Sequence, residues 1–262
     1  MNKNGFLTFT IDMAKEAGHV LMQHYGKIST INKKSSDIDL VTIADTQSEQ
    51  LIITKIQKYY PNHYIISEES DHKKIDSDYC WIIDPLDGTT NYVHSLPIFS
   101  VSIALQYKNE TIIGVVYNPA VDKCFYAEKN NGAFLNNNKI NVTSCDTLSE
   151  SLLVTGFPYI HDDRYKKGFA LFEELYGQTQ GVRRLGAASL DLCFVAMGRF
   201  EAFWEFSLQS WDICAGDLIV REANGKTSDW DNSHLPLDGS RILATNGHIH
   251  KEMIGILSKN MF

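Results

Sequence analysis

Two patterns of apolar residues divide the chain near residue 145, and they constrain the fold more than any other feature. Between residues 60 and 140, short apolar runs are separated by turn signals at Lys108-Asn109-Glu110 and Asn130-Asn131-Gly132, where Asn and Gly tolerate positive φ. These signals predict two β-hairpins. Beyond residue 145, helical periods alternate with short extended runs. We therefore expect a mixed α+β or α/β fold built in layers, with sub-domains at residues 1–145 and 146–262.

Within this frame, individual segments can be assigned from their periodicity and end signals. Apolar residues at Phe6, Met13 and Leu21 recur with helical spacing, and Asp45 is suited to cap a second helix that ends near Tyr60. Helices are also predicted over residues 162–176, 187–197 and 212–224. Strands are predicted over residues 64–67, 79–83, 181–185, 200–206 and 241–244.

Composition excludes several classes of protein. The 262 residues are 44% hydrophobic, enough for a sizeable core, and the net charge of −8 comes with no basic run longer than a pair. We therefore expect no nucleic-acid partner. No window approaches the ~20 apolar residues that span a bilayer, and no signal peptide is apparent. The five cysteines are scattered and lack C-x-x-C spacing, so we expect neither disulfides nor a zinc site, and a cytoplasmic location.

Three motifs resemble functional sites but have simpler interpretations. The C-x5-R spacing from Cys193 to Arg199 occurs in thiol phosphatases, but its intervening residues continue a helical period, which favours a buried core cysteine. The run Asp37-Ile-Asp39-Leu-Val41 matches aspartyl-phosphate phosphatases, yet it follows a polar, loop-like stretch instead of a buried strand. Formation of a covalent aspartyl-phosphate on Asp37 stays the alternative mechanism. His248-Ile-His250 is most simply a surface feature.

The informative stretch is the run from Trp81 to Asn91. We expect a buried strand to deliver Asp84 at its end, Pro85 to force a turn, and Asp87-Gly88 to bend the chain again. Two carboxylates are then presented three residues apart on a tight loop. The backbone N–H groups of Gly88 and Thr89 would follow at a helix start, where anions bind.

Further acidic residues are expected near the same edge of the sheet. Glu68 follows the preceding strand, and Asp212 stands at the beginning of a later helix, where its simplest role is an N-cap. If these residues converge with Asp84 and Asp87, their mutual repulsion requires divalent cations. An all-oxygen shell that includes a backbone carbonyl, such as that of Leu86, suits Mg²⁺.

These motifs resemble the three signature motifs of the inositol monophosphatase family. They are Glu68-Glu69-Ser70, the run Trp81-Ile-Ile-Asp84-Pro85-Leu86-Asp87-Gly88-Thr89-Thr90-Asn91, and Trp211-Asp212-Ile-Cys-Ala215-Gly216. The resemblance implies a five-layered αβαβα phosphatase, usually a homodimer, which depends on two or three Mg²⁺ ions and is inhibited by Li⁺. It also implies a small phosphorylated polyol as substrate.

The resemblance assigns roles by position. The positions that match the metal ligands are Glu68, Asp84, the Leu86 carbonyl, Asp87 and Asp212. Asp45 and Thr89 match the catalytic pair that orients and deprotonates the attacking water. The positions that match substrate contacts are Lys34, Gly88, Thr89, Ala188 and Glu205.

These assignments predict Mg²⁺-dependent hydrolysis of inositol monophosphate by direct attack of water, without a covalent enzyme intermediate. Phosphatases of histidinol phosphate, fructose-1,6-bisphosphate or 3′-phosphoadenosine-5′-phosphate are alternatives on the same scaffold, and a mainly regulatory binding protein is another. We expect the charge of Glu205 to repel a second phosphate and so to disfavour bisphosphates.

Overall fold

The computed structural model describes residues 4–27, 31–33, 40–70, 74–158 and 162–260. Its α-helices are α1 (Asn4–His24), α2 (Ile43–Tyr59), α3 (Thr89–Val93), α4 (Asp163–Tyr176), α5 (Ala188–Ala196), α6 (Ser210–Glu222) and α7 (His250–Leu257). No helix in these ranges is both long and apolar enough to span a membrane. The fold is mixed α and β, as the sequence predicts.

The first of two large sheets has seven strands, in the order β3-β4-β5-β6-β7-β8-β9. The strands are β3 (Tyr64–Ser67), β4 (Tyr79–Asp87), β5 (Ser100–Tyr107), β6 (Glu110–Asn118), β7 (Lys123–Glu128), β8 (Ala133–Leu135) and β9 (Asn138–Ile140). Only β3 and β4 are parallel. The β5–β6 turn contains Lys108 and Asn109 at positive φ, and Asn130 and Gly132 have positive φ between β7 and β8, so both predicted hairpins form.

The second sheet has five strands, in the order β11-β10-β12-β14-β13. They are β10 (Leu152–Thr155), β11 (Gly181–Arg183), β12 (Ala202–Phe206), β13 (Lys226–Ser228) and β14 (Arg241–Thr245). Strands β10, β11 and β12 run parallel, whereas β14 is antiparallel to both of its neighbours. A separate antiparallel pair joins β1 (Ile31–Lys33) to β2 (Leu40–Thr42).

Alternation along the strands builds five layers, αβαβα. Trp81 and Ile83 of β4 face a core shared with α1 and α2, while Ile82 faces the opposite core, which contains α5 and α6. On β12, Phe203 faces that same central core, and Trp204 faces a third core formed with α4 and α7. The helices α5 and α6 therefore lie between the two sheets and contact both.

The central layer packs very closely at one point. A Cβ atom added to Gly114 of β6 would lie 2.6 Å from the carbonyl oxygen of Ala215 in α6. Only glycine lets the helix and the strand approach this closely. The N-terminal end of α6 is thereby fixed against the first sheet.

Three local expectations are wrong. Helix α2 begins at Ile43, so Asp45 lies within its first turn and is not its cap. Helix α6 begins at Ser210 and its N-cap is Gln209, so Asp212 occupies the third helical position and is not the cap. His250 is buried, with 2% of its surface exposed, because it begins α7 beneath Ser228 and Thr245 and its ring bonds both hydroxyls. His248 is exposed, as expected.

Candidate active site

The end of β4 presents Asp84 and Asp87 through a bulge. Asp84 pairs with Ser102 and Asp87 pairs with Ser100, so three steps along β4 match two steps along β5. The strand thus continues to Asp87, whereas the sequence predicts a turn immediately after Asp84. Pro85 lies in the bulge, where its missing N–H costs no ladder hydrogen bond.

Each carboxylate of the bulge is held by backbone donors. The Leu86 N–H donates to Asp84 Oδ1 at 2.9 Å. Asp87 Oδ2 accepts from the N–H and the hydroxyl of Ser189, at 2.9 and 2.6 Å. The Ser189 hydroxyl also shares a 2.9 Å hydrogen bond with that of Ser100. The first turn of α5 is therefore tied to the end of β4.

Gly88 connects the bulge to α3. Its φ of +85° is costly for any residue with a side chain, and an added Cβ would lie 2.9 Å from the Ile98 carbonyl oxygen. Asn91 follows in α3 and donates through Nδ2 to the carbonyls of Ile98 and Leu185, both at 2.8 Å. These contacts hold α3 against the segments that contain Ile98 and Leu185.

Asp212 reaches the same place from α6. Its Oδ2 accepts from the Gln209 N–H at 2.7 Å in a capping box. The neighbouring Trp211 carbonyl accepts from the hydroxyl of Ser102, the residue that pairs with Asp84. As a result, carboxylate oxygens of Asp84, Asp87 and Asp212 all lie within 4.8 Å of one another.

This convergence raises the affinity of the carboxylates for protons. Burial raises the pKa of Asp84 well above its ordinary value, and the charges of Glu68, Asp87, Asp212 and Asp45 raise it further. Burial also raises the pKa of Asp87 to about 6, although its hydrogen bonds with Ser189 oppose this shift. A cation bound among these oxygens would remove the repulsion, so the donor set fits a hard divalent ion.

The three carboxylates line a cavity of about 310 Å³, and we call the part of it that they line the acidic end. The cavity brings together most residues that the sequence assigns to the site: Glu68, Asp84, Leu86, Asp87, Gly88, Thr89, Ala188, Glu205 and Asp212. Asp45 is not among the lining residues, since it is fully buried in α2. Its charge nevertheless raises the pKa of Asp84. Lys34 and Asp37 lie outside the described residues.

Thr89 is half-buried at the start of α3. Its hydroxyl donates to the Leu86 carbonyl oxygen at 3.0 Å. Since the other lone pairs of this hydroxyl stay available, it can still accept a hydrogen bond from the cavity.

A second part of the cavity, which we call the far end, is lined by Gly156, Arg184, Asp191 and Glu205, the last of these on β12. Gly156 provides the space for its carboxylate, because an added Cβ at Gly156 would collide with both carboxylate oxygens. Burial raises the pKa of Glu205 to about 8, and Arg184, which also lines the cavity, opposes this shift. This shift favours the neutral, protonated form of the carboxyl group, which would weaken the charge repulsion of a second phosphate that the sequence predicts.

Sequence reasoning missed other residues of the cavity, notably Arg184 and Asp191. Asp191 interrupts a buried apolar run in α5, and this interruption was the available signal.

The structure supports the core interpretation of Cys193, which is fully buried in the same helix, where burial raises the pKa of its thiol. All five cysteines are free thiols.

Fold and site together define a layered phosphatase architecture with an acidic centre, and the family model for the inositol monophosphatase family matches residues 2–261. The chain belongs to this family. It is an enzyme, a phosphoric monoester hydrolase of the inositol-1-monophosphatase type, and the family depends on metal.

Known relatives carry two kinds of name. An inositol-1-monophosphatase from Synechocystis sp. is 43% identical over 95% of this chain and 87% of its own length. The Nus factor SuhB from Pseudomonas aeruginosa is 39% identical over 97% of this chain and 96% of its own. Among solved structures, an IMPase from Thermotoga maritima superposes with a TM-score of 0.90 and 34% identity, covering 98% of both chains.

Proposed function

We propose that this protein hydrolyses inositol monophosphate to inositol and phosphate with Mg²⁺ as its cofactor. The observation that carries this proposal is the convergence of Asp84, Asp87 and Asp212 within 4.8 Å in the lining of one cavity. The cavity is wide enough for one ring and one phosphate, since about 310 Å³ lies at the lower limit of small-molecule sites. The 43% identity with the Synechocystis enzyme supports the same substrate.

The carboxylates and one carbonyl would hold the metal. In the proposal, the oxygens of Glu68, Asp84, Leu86, Asp87 and Asp212 would hold two or three Mg²⁺ ions. Bound Mg²⁺ supplies positive charge that offsets charge on the phosphoryl and leaving-group oxygens and acidifies coordinated water. The protein contributes rigid oxygens, since Asp84 and Asp87 are already held by the Leu86 and Ser189 N–H groups.

Thr89 and Asp45 would manage the proton of the attacking water. The Thr89 oxygen accepts a hydrogen bond from that water and directs a water lone pair towards phosphorus. Transfer of the proton onward to Asp45 requires the Thr89 hydroxyl to turn away from the Leu86 carbonyl, to which it donates at 3.0 Å. The buried Asp45 is then the final acceptor.

The remaining contacts would bind the substrate. The N–H groups of Gly88 and Thr89 hold phosphate, and Lys34 adds a positive charge beside them. Ala188 leaves room for the ring, and Glu205 bonds its hydroxyl groups. We also propose a homodimer that is sensitive to Li⁺, as the family resemblance implies.

A phosphate-release assay tests this function. Purified protein with Mg²⁺ is offered inositol 1-phosphate, histidinol phosphate, fructose-1,6-bisphosphate and 3′-phosphoadenosine-5′-phosphate. We expect the highest kcat/KM for inositol 1-phosphate, inhibition by Li⁺, and loss of all activity with EDTA. A preference for any other member of the panel would reject the substrate, and full activity after chelation would reject the mechanism. Sedimentation equilibrium tests the dimer.

The name of the Pseudomonas relative favours a second candidate function, a role as a Nus factor. Such a role needs a folded surface, whereas hydrolysis also needs the acidic centre. If Asp84→Asn restores growth of a host that lacks this protein as well as wild type does, the essential role is the non-catalytic one. Failure of this variant to restore growth, with normal folding, assigns the role to hydrolysis.

A further inference from the structure

Asp191 is a buried acid to which the proposed reaction gives no role. It is 1% exposed in α5, between the fully buried Leu190 and Leu192. Its Oδ1 is buried and has no hydrogen-bond partner among the described residues. An unsatisfied buried polar atom destabilises the folded state, and a leucine here would avoid that cost. A group this costly needs an explanation beyond packing.

The position of Asp191 points to a ligand. Asp191 lines the same cavity as Glu205 and Arg184. The charges of Glu205 and Asp87 both raise its pKa, and that of Arg184 lowers it, so all three lie within electrostatic reach. Asp191 thus lines the cavity within electrostatic reach of both Asp87, in the acidic centre, and Glu205, so a ring attached to the phosphate could extend to it.

The chemistry of this end of the cavity suits hydroxyl groups. Burial raises the pKa of Asp191 well above its ordinary value and that of Glu205 to about 8. A protonated carboxyl offers one O–H donor together with acceptor lone pairs. A hydroxyl group also donates and accepts, so it can satisfy the carboxyl in either direction. An apolar ring can do neither and would leave the Asp191 oxygen unsatisfied.

We propose that Asp191 is a specificity-determining residue that binds a hydroxyl group of the substrate ring, next to a hydroxyl bound by Glu205. This inference rests on the proposed function, since it concerns the polyol part of the same substrate. The pocket would then contain two neighbouring carboxyl groups, Asp191 on α5 and Glu205 on β12, and these would bind adjacent hydroxyls of one ring.

The test compares two substrates that share a phosphate but differ in their ring. Inositol 1-phosphate carries ring hydroxyls, whereas phenyl phosphate carries none. In Asp191→Leu we expect kcat/KM for inositol 1-phosphate to fall about tenfold or more, mainly through KM, with that for phenyl phosphate changed less than about twofold. The melting temperature should rise, because the buried oxygen is removed. Asp191→Asn keeps a donor and an acceptor and should retain most of the activity.

Controls separate this role from simple packing. Cys193→Ala loosens the same helix without touching the cavity, and it should affect both substrates equally. Where Asp191→Leu does not fold, Asp191→Ala gives the same comparison. Equal losses for both substrates, or no loss for either, would overturn the role of Asp191. Wild-type protein is measured first: if it hydrolyses phenyl phosphate but not inositol 1-phosphate, the proposed substrate is wrong, irrespective of the variants.

Discussion

The two ends of the cavity differ in how their carboxyl groups are held. At the acidic end, Asp84, Asp87 and Asp212 each accept a backbone N–H from within the protein. At the far end, Asp191 has an oxygen with no partner among the described residues. The acidic end is organised before any substrate arrives, because backbone N–H groups set the orientation of its carboxylates. At the far end, the carboxyl group of Asp191 can still form a hydrogen bond with a substrate. A site that discriminates between rings by their hydroxyl groups requires such an unused hydrogen-bonding group.

The largest effect should follow from disturbing the acidic end. Asp84→Asn removes one charge and one strong ligand, so we expect activity to fall by roughly 10³ or more, beyond the 10- to 100-fold typical of residues that only support a ligand. Without Mg²⁺ the same variant should melt at a higher temperature, because repulsion among the acids is reduced. Phosphate release and thermal melts measure both. A variant that loses activity and stability together would show that Asp84 is mainly structural.

An intermediate effect is expected at Thr89. Thr89→Ala leaves the acids in place but removes the oxygen that orients water, so kcat should fall by roughly 10² with KM nearly unchanged. Thr89→Ser should recover most of this loss. A phosphoenzyme trapped on Asp37 would instead support the aspartyl-phosphate mechanism.

A smaller and more selective effect is expected at the far end. Gly156→Ala would push the Glu205 carboxylate from its position, and we expect a loss of about tenfold for inositol 1-phosphate and little change for phenyl phosphate. Glu205→Ala, which removes the carboxyl group, should weaken discrimination among substrates by roughly 1 to 3 kcal/mol. In a double-mutant cycle the two effects should not add, since both act on one carboxyl group. Additive losses would contradict the contact.

His250 offers a control outside the cavity. Burial lowers its pKa to about 4, so the folded state favours the neutral ring. Its stabilising contribution is full above pH 6.5, the value of an ordinary histidine, and is lost as the pH falls towards 4. Between pH 7 and 5, wild type should lose on the order of 2 kcal/mol more stability than His250→Gln, measured by urea unfolding. The preference between the two substrates should not change; a change would show that the cavity senses distant packing.

The sequence predicts the acidic end far better than the other. Asp84, Leu86, Asp87, Gly88 and Thr89 lie within one run of six residues, so a single motif carries most of the site. The far end is assembled from separate segments around Gly156, Arg184, Asp191 and Glu205. The sheet order of β10, β11 and β12, together with the packing of α5 on the sheet, makes them neighbours. A local sequence pattern does not reveal that these separate segments become neighbours. Glu205 was assigned to the site only through the resemblance to the family.

The same contrast applies to the fold. Two hairpins with Asn or Gly at the turn could be predicted because one or two residues determine the geometry. The β8–β9 hairpin turns at Asn136 and Asn137, both at positive φ, and sequence reasoning missed it although it has the same signal. The β6–β7 hairpin could not, since its turn contains Pro119 and relies on Asp122 at positive φ. The burial of His250 also depends on partners from distant strands, Ser228 and Thr245, which no local pattern reveals.

The close approach of Gly114 to Ala215 bears on which ion the acidic centre can accept. Backbone meets backbone there, so the spacing between Asp212 on α6 and the first sheet is set by atoms that cannot be compressed or rearranged. Mg²⁺ binds oxygen at about 2.0 to 2.1 Å and Ca²⁺ at about 2.3 to 2.6 Å. A helix resting directly on a strand cannot yield inward, and its capping box keeps Asp212 from swinging outward. We therefore expect the protein to select its cation by ionic radius.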